Sequence, residues 1–320
     1  MSSADQEGRT GVVIVGSLNA DITVSTSRLP RPGETVRGSN AAILPGGKGA
    51  NQAVAAARLG ARVSLIGAVG DDSNGAMLIA AARDAGVATD RIRTVAGVAT
   101  GLAFVTVDDR GENTIVISPG ANAKIDRSDV QANIGALRSG TVLGLSLEVD
   151  IDVVTEAARI AHTAGTTVLT NLSPFADEVG SLLEVTDVLL VNEHEAAQLV
   201  GKPDITDQSV AAALLARGIS RAIVTLGSDG CMVIDGATPV AHVPAVPVRV
   251  VDTTGCGDAF MGAVCAQLSD GASLLDAARF GASVAGYAAQ ARGAQPSYPN
   301  RRDLENEALR RRAECGSVKV

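Results

Sequence analysis

Short apolar runs alternate with longer amphipathic stretches along most of the chain, and this rhythm sets the first expectation of the fold. Val12–Val15, closed by Gly16, is apolar at every position and predicts a strand buried on both faces. Residues 49–59 (GANQAVAAARL) carry a helical period that stops at Gly60, and 63–66 is a second apolar run. An Ala-rich helix is predicted over 73–85, closed by Gly86. Further strands are predicted near 142–147, 167–171, 187–191 and 222–226. Helices are predicted near 151–164, 193–200, 207–217, 257–269, 273–290 and 300–313. Buried strands alternating with helices mean an α/β fold, with a mostly parallel central sheet flanked by helices on both faces.

Two segments break the rhythm. Residues 33–44 (GETVRGSNAAIL) and 101–118 (GLAFVTVDDRGENTIVIS) contain no helical period, and the second reads as a hairpin turning over 108–113. Strands of this kind do not fit a doubly wound sheet and are expected to form a small β-lid beside it. The division predicted is a disordered polar N-terminus over 1–10, a core made of 11–32, 45–99 and 119–313, and a lid made of 33–44 and 100–118.

Composition narrows the partners. The net charge is −8 and the chain has no basic stripe, so nucleic acid is not expected as a partner. The tail arginines Arg310, Arg311 and Arg312 read as a solvated helix end. No apolar run approaches the ~20 residues of a membrane helix, so no membrane partner is expected. Cys231, Cys256, Cys265 and Cys315 form no C-x-x-C pair and read as reduced thiols of a cytoplasmic protein. His162, His194 and His242 are scattered, without the spacing of a zinc site.

Ligands of open parallel sheets sit beyond the C-terminal ends of the strands. After the first strand come Asn19 and Asp21, which one extended edge can present together to adjacent hydroxyls; alone, the pair reads more simply as a helix cap or Asx-turn. Pro45-Gly46-Gly47-Lys48-Gly49-Ala50-Asn51 opens a helix without the Walker A spacing, and no G-x-G-x-x-G follows the first strand. Its small residues let a ligand approach backbone N–H groups, although a glycine turn with an exposed lysine is the plainer reading. The strongest segment is Asp252-Thr253-Thr254-Gly255-Cys256-Gly257-Asp258. Gly255 to Gly257 can curl into an anion-binding nest at the positive end of the following helix, with Asp258 in its first turn. A nest beside a carboxylate is what phosphoryl transfer to a hydroxyl requires.

Together these segments resemble the PfkB, or ribokinase-like, carbohydrate kinase family. Gly46-Gly47-Lys48-Gly49-Ala50-Asn51 resembles its N-terminal signature, and Asp252 to Asp258 resembles its D-T-x-G-x-G-D signature. Further strings add to the likeness: Gly16-Ser17-Leu18-Asn19-Ala20-Asp21, Pro32-Gly33-Glu34-Thr35-Val36, Gly49-Ala50-Asn51-Gln52-Ala53-Val54, Gly70-Asp71-Asp72, Gly111-Glu112-Asn113, Gly120-Ala121-Asn122 and Gly293-Ala294-Gln295-Pro296-Ser297. The resemblance implies Asp258 as catalytic base and Gly255, Cys256 and Gly257 as anion hole. It implies sugar contacts from Asn19, Asp21, Gly47, Lys48, Asn51 and Glu148. Asn192 and Glu195 resemble an N-x-x-E motif acting near Mg²⁺ and the nucleotide phosphates, and Thr225, Gly227, Ser228 and Gly230 the loop lining the nucleotide. Asp252, Thr254, Ala288, Ala291, Gly293 and Ser297 match positions that hold a monovalent cation, usually K⁺. Two departures stand out: Cys256 replaces the usual Ala, and Asn171-Leu172-Ser173-Pro174 replaces the commoner N-P-A-P.

The function implied is ATP-dependent phosphorylation of D-ribose at its 5-hydroxyl by a homodimer paired through the lid. Deoxyribose, a hexose or a nucleoside is the alternative acceptor. Nucleobases favour stacking platforms, and the chain has no Trp, two Tyr and four Phe. Strand alternation puts Phe104 opposite Ala103 and Val105, so if those two face the sugar Phe104 does not. A catalytically inactive sugar sensor would need a broken base or anion hole, whereas Asp258, Gly255 and Gly257 are all present.

Overall fold

The computed structural model describes residues 11–317 apart from 40, 111, 202–206 and 237. The expected disordered segment 1–10, Gly111 of the predicted turn, and the side chains of Arg311, Arg312 and Cys315 lie outside the described residues.

Among the described residues, fourteen strands, taken in chain order, fall into two sheets. They are β1 (Val12–Val15), β2 (Asn19–Thr26), β3 (Ala42–Gly46), β4 (Val63–Gly70), β5 (Val87–Ala88), β6 (Ile92–Val95), β7 (Gly101–Asp108), β8 (Asn113–Ser118), β9 (Val142–Ser146), β10 (Thr167–Asn171), β11 (Val188–Asn192), β12 (Arg221–Thr225), β13 (Cys231–Asp235) and β14 (Ala241–Val243). The large sheet runs β14-β13-β12-β11-β10-β9-β1-β4-β5, with β6 also paired to β4. From β12 through β4 its strands are parallel, while β13 and β14 close one edge antiparallel.

Eleven helices accompany them: α1 (Lys48–Arg58), α2 (Ser73–Asp84), α3 (Arg127–Ala132), α4 (Ile134–Ser139), α5 (Ile151–Thr163), α6 (Gly180–Leu183), α7 (Glu193–Val200), α8 (Asp207–Leu215), α9 (Cys256–Ser269), α10 (Leu274–Ala288) and α11 (Arg301–Ser317). One face of the large sheet packs α1, α9 and α10 around Ile14, Leu65, Leu169, Phe260 and Val264. The other face carries α5 against Val13, Val15 and Leu143, then α7 and α8 against Leu189, Val191 and Val224. The strands read as continuous apolar runs because both faces are covered.

The small sheet has the order β3-β2-β7-β8. Two expectations give way here. Residues 19–26, assigned to the core, form β2; their alternation N-A-D-I-T-V-S-T is that of a half-buried strand, but its polar face carries the candidate sugar contacts and so reads as a loop. Of 33–44, only the end is strand, as β3, together with an isolated pairing of Gly38 with Thr26. The short strands β5, β6 and β14 and the helices α3 and α4 are too brief to leave a period. Asp72 ties the lid to the core: it caps α2 through the Gly75 N–H at 2.8 Å and accepts from the Thr100 N–H and hydroxyl, just before β7.

Candidate active site

β1 ends where the small sheet begins, so a single turn, Gly16-Ser17-Leu18, carries the chain from core to lid. Asn19 and Asp21 are alternate residues of β2 and share a face. Asp21 pairs laterally with Ala103 on one side and Leu44 on the other, and Ala103 with Ile117. Phe104 falls on the opposite face with Ile22, Ile43 and Val116. The side of the lid that carries Asp21 therefore offers no phenyl ring at position 104.

The Asp21 carboxylate lies over Gly46: a Cβ there would come within 2.0 Å of it. Burial, reinforced by the Glu148 and Asp258 carboxylates, pushes the Asp21 carboxyl up to about 7. Asn19 is held by Asn122, whose Nδ2 donates to Asn19 Oδ1 at 2.8 Å and to the Leu18 carbonyl at 3.1 Å. Glu148 follows β9 and accepts from the Ser17 hydroxyl and from the Lys48 backbone N–H at 3.1 Å. The start of α1 is thus fixed against the ends of β1 and β9.

Asp258 lies in the first turn of α9 and is 7% exposed. Both its oxygens are engaged by α1: Asn51 Nδ2 donates to Oδ2 at 3.0 Å, and Gln52 Nε2 donates to Oδ1 at 3.0 Å. Gly255 is the N-cap of α9 with φ of 75°, the left-handed region that glycine tolerates. A side chain there would also strike the Tyr298 hydroxyl and Ala294 at 2.5 Å. Tyr298, buried, donates to the Gly255 carbonyl at 2.9 Å. The Cys256 thiol is pushed up to about 11, by burial first and then by the Asp252 and Asp258 carboxylates. A neutral thiol adds no negative charge at the helix start, so replacing Ala by Cys leaves the electrostatics of the nest intact.

A cleft runs from this point along the strand ends, lined by Lys48, Asn171, Ser173, Asn192, Glu195, Thr225, Gly255, Gly257 and Asp258. The departing string Asn171 to Pro174 therefore contributes to its wall. Burial alone would lower the Lys48 ammonium; Asp258, Glu148 and Glu195 outweigh it and raise the group, so the lysine is charged. Lys48 lines this cleft together with Asn192, Glu195, Thr225 and Asp258. Asn192 caps α7 in a reciprocal box: its Oδ1 accepts from the Glu195 N–H at 2.8 Å, and its own N–H donates to Glu195 Oε2 at 2.9 Å. Gly227, Ser228 and Gly230 form the tight turn between β12 and β13, closed by the Leu226 N–H donating to the Gly230 carbonyl at 2.8 Å.

Behind the nest, Asp252 accepts from the Thr254 N–H at 2.9 Å and the Gly293 N–H at 2.8 Å. Burial opposes the ionised form, but these hydrogen bonds and the nearby Arg292 hold Asp252 below the usual carboxylate range. Ser297 is buried, and its hydroxyl donates to the Ala294 carbonyl at 2.8 Å. Among the described residues no group of three His, Cys, Asp or Glu is arranged to hold a metal.

Sequence reasoning missed Ser17, Gln52, Asn122, Gln295 and Tyr298 as site residues. Ser17, Gln52, Asn122 and Gln295 all lie inside strings that carry the family resemblance, and that was the available signal.

The profile of the pfkB family carbohydrate kinases matches residues 9–301. Ribokinase of Schizosaccharomyces pombe is 36% identical over 90% of this chain and 95% of its own length, and ribokinase of Mus musculus is 36% identical over 93% and 95%. The structure of Arabidopsis thaliana ribokinase complexed with ribose and ATP superposes with a TM-score of 0.85 at 32% identity, covering 93% of this chain and 98% of that one. The chain belongs to the PfkB family of carbohydrate kinases.

Proposed function

We propose that the chain transfers the γ-phosphoryl group of ATP to the 5-hydroxyl of D-ribose, giving ribose 5-phosphate and ADP. The observation that carries this reading is the position of Asp258, at the meeting point of the cleft lined by Asn192, Glu195 and Thr225 with the polar cluster of Asn51, Asp21 and Glu148. The curated relatives named above are ribokinases at 36% identity over nearly their whole length.

In this reading Asn19, Asp21, Asn51 and Glu148 bind the sugar hydroxyls, with Gly47 at their backbone. Asp258 takes the proton of the 5-hydroxyl as that oxygen attacks the γ-phosphorus and the bond to the ADP oxygen breaks. The N–H groups of Gly255, Cys256 and Gly257 and the positive end of α9 receive the charge on the transferring phosphoryl group. The Lys48 ammonium stands between the two substrates. Gly227, Ser228 and Gly230 border the nucleotide.

The donor sets fit two ions. Glu195 uses Oε2 in its capping box, and its side chain lines the cleft, so its other oxygen suits Mg²⁺ arriving with ATP, directly or through water. Bound there, Mg²⁺ would neutralise phosphate charge. Asp252 and Ser297 with the backbone oxygens near Thr254, Ala288, Ala291 and Gly293 make an all-oxygen set with a single carboxylate, suited to K⁺. Higher turnover in K⁺ than in Na⁺ buffer is the expected result, and equal rates would remove the ion from this account. The lid's outer apolar face supports a homodimer, and three unbridged, partly or fully buried cysteines support a cytoplasmic setting.

The test is a panel of sugars and nucleosides with ATP, following ADP release. D-ribose is expected to be the best acceptor. A nucleoside phosphorylated better than ribose would replace this reading.

A further inference from the structure

Asp258 is held by a chain of buried amides, two of which, Gln52 and Gln295, have no part in the substrate contacts above. Gln52 is fully buried in α1 and directs Nε2 at Asp258 Oδ1, 3.0 Å away. Its Oε1 is buried with no hydrogen-bond partner among the described residues. A buried orphan acceptor is costly, and an apolar side chain of the same shape would avoid it. The demands of packing alone therefore favour a residue such as Met at position 52. What the glutamine adds is the bond to the carboxylate.

The second oxygen is governed in the same way, one residue further back. An asparagine amide can present either its oxygen or its nitrogen to a neighbour, and the surrounding bonds decide which. Gln295 Nε2 donates to Asn51 Oδ1 at 3.0 Å, so Asn51 must turn Nδ2 toward Asp258. The backbone of Gln295 is itself held: Arg58 Nη1 donates to its main-chain carbonyl at 2.6 Å and to that of Tyr298 at 2.9 Å. Gln295, Asn51, Asp258 and Gln52 thus form one directional chain with every proton pointing at the carboxylate.

We infer that Gln52 and Gln295 are positioning residues for phosphoryl transfer: together they fix the orientation of Asp258 while it waits for the sugar hydroxyl. This rests on the kinase reading above. The other groups that face Asp258 are Lys48 from α1, Asp21 from the lid, Tyr298 beyond the Gln295 turn, and Cys256 in its own helix. All four remain in a variant changed only at 52 or 295, so a change in rate isolates the amide.

The experiment compares ribose phosphorylation by the full-length parent, Gln52→Met and Gln295→Met, and repeats both changes in an Asp258→Asn background. Gln52→Met is expected to lower kcat about tenfold with KM for ATP unchanged, and to cost nothing further once Asp258 is Asn, because it acts only through that carboxylate. Gln295→Met, in a single 3-10 turn, should change kcat in the same direction but less, and it carries the test if the first variant does not fold. Parent-like rates in both variants would overturn the role. So would an equal further loss in the Asp258→Asn background, which would mark the residues as structural only. If the parent itself phosphorylates no sugar, the kinase reading fails and the role with it, an outcome distinct from either of these.

Discussion

The carboxylates of this site sit close enough to govern one another. Asp258→Asn keeps the shape that Asn51 and Gln52 surround but removes the base. Turnover of ribose should fall by about 10²–10⁴-fold, while ribose binding measured by calorimetry stays near the parent value. Asp21 makes a different prediction. Its carboxyl, raised from 3.8 to about 7 by burial and by Glu148 and Asp258, holds a proton in the folded chain over a range where the unfolded chain has lost it. The folded state therefore binds more protons between these values, and this group's contribution to stability is present below pH 3.8 and lost as pH rises through about 7. The melting temperature of the ligand-free parent should fall across that window more steeply than that of Asp21→Asn, by differential scanning calorimetry. Equal slopes would show that Asp21 is not the group responsible. The ionised form is the one that accepts sugar hydroxyls, so ribose should bind more tightly as pH rises toward 8.

At the scale of elements, the lid should close over the sugar. Asp21 lies on its inner face beside Ala103, and Asn19 is anchored to the core through Asn122, so a ribose held by both would bridge the two sheets. Ribose should slow hydrogen exchange of β2, β7 and β8 amides more than 2-deoxyribose does, and Asp21→Ala should remove most of that protection. Equal protection by both sugars would detach closure from the hydroxyls. The βα rhythm was legible in the sequence because the large sheet is buried on both faces, leaving unbroken apolar runs such as Val12–Val15. The lid was only half legible: β7 and β8 are joined by a local turn, whereas β2 pairs with β7 across most of the first layer of the core. The site divides likewise. Asn19, Asp21 and Asp258 are chemically conspicuous within a few residues of sequence. Gln295, by contrast, meets Asn51 across 244 residues and Asn122 meets Asn19 across 103, contacts that only the assembled sheet creates.

At the scale of the molecule, the face of the lid turned away from Asp21 carries an exposed apolar patch. Ile43, Phe104 and Val116 share it, 52%, 45% and 67% exposed, and β8 ends the sheet with an unpaired edge. A second copy would cover both face and edge. Val116→Asp, a charge in the middle of that face, should convert a dimer to a monomer in sedimentation velocity with the core fold unchanged by circular dichroism. A parent that sediments as a monomer would end the proposal.

The parallel pairing of β2 with β7 has a consequence for anyone who would redesign this enzyme. A hairpin can be cut out and replaced as a cassette, because its strands are neighbours in sequence. Here the strand bearing Asp21 and β7 beside it are separated by β3, α1, β4, α2, β5 and β6, so the connection between these two lid strands runs through a layer of the core itself. A lid from another kinase could be transplanted only as three separate insertions, over 19–26, 42–46 and 101–118, each spliced in register with the others. Any specificity carried by the lid would in this sense be inherited with the whole fold, and a swap of one segment alone would leave the small sheet mispaired.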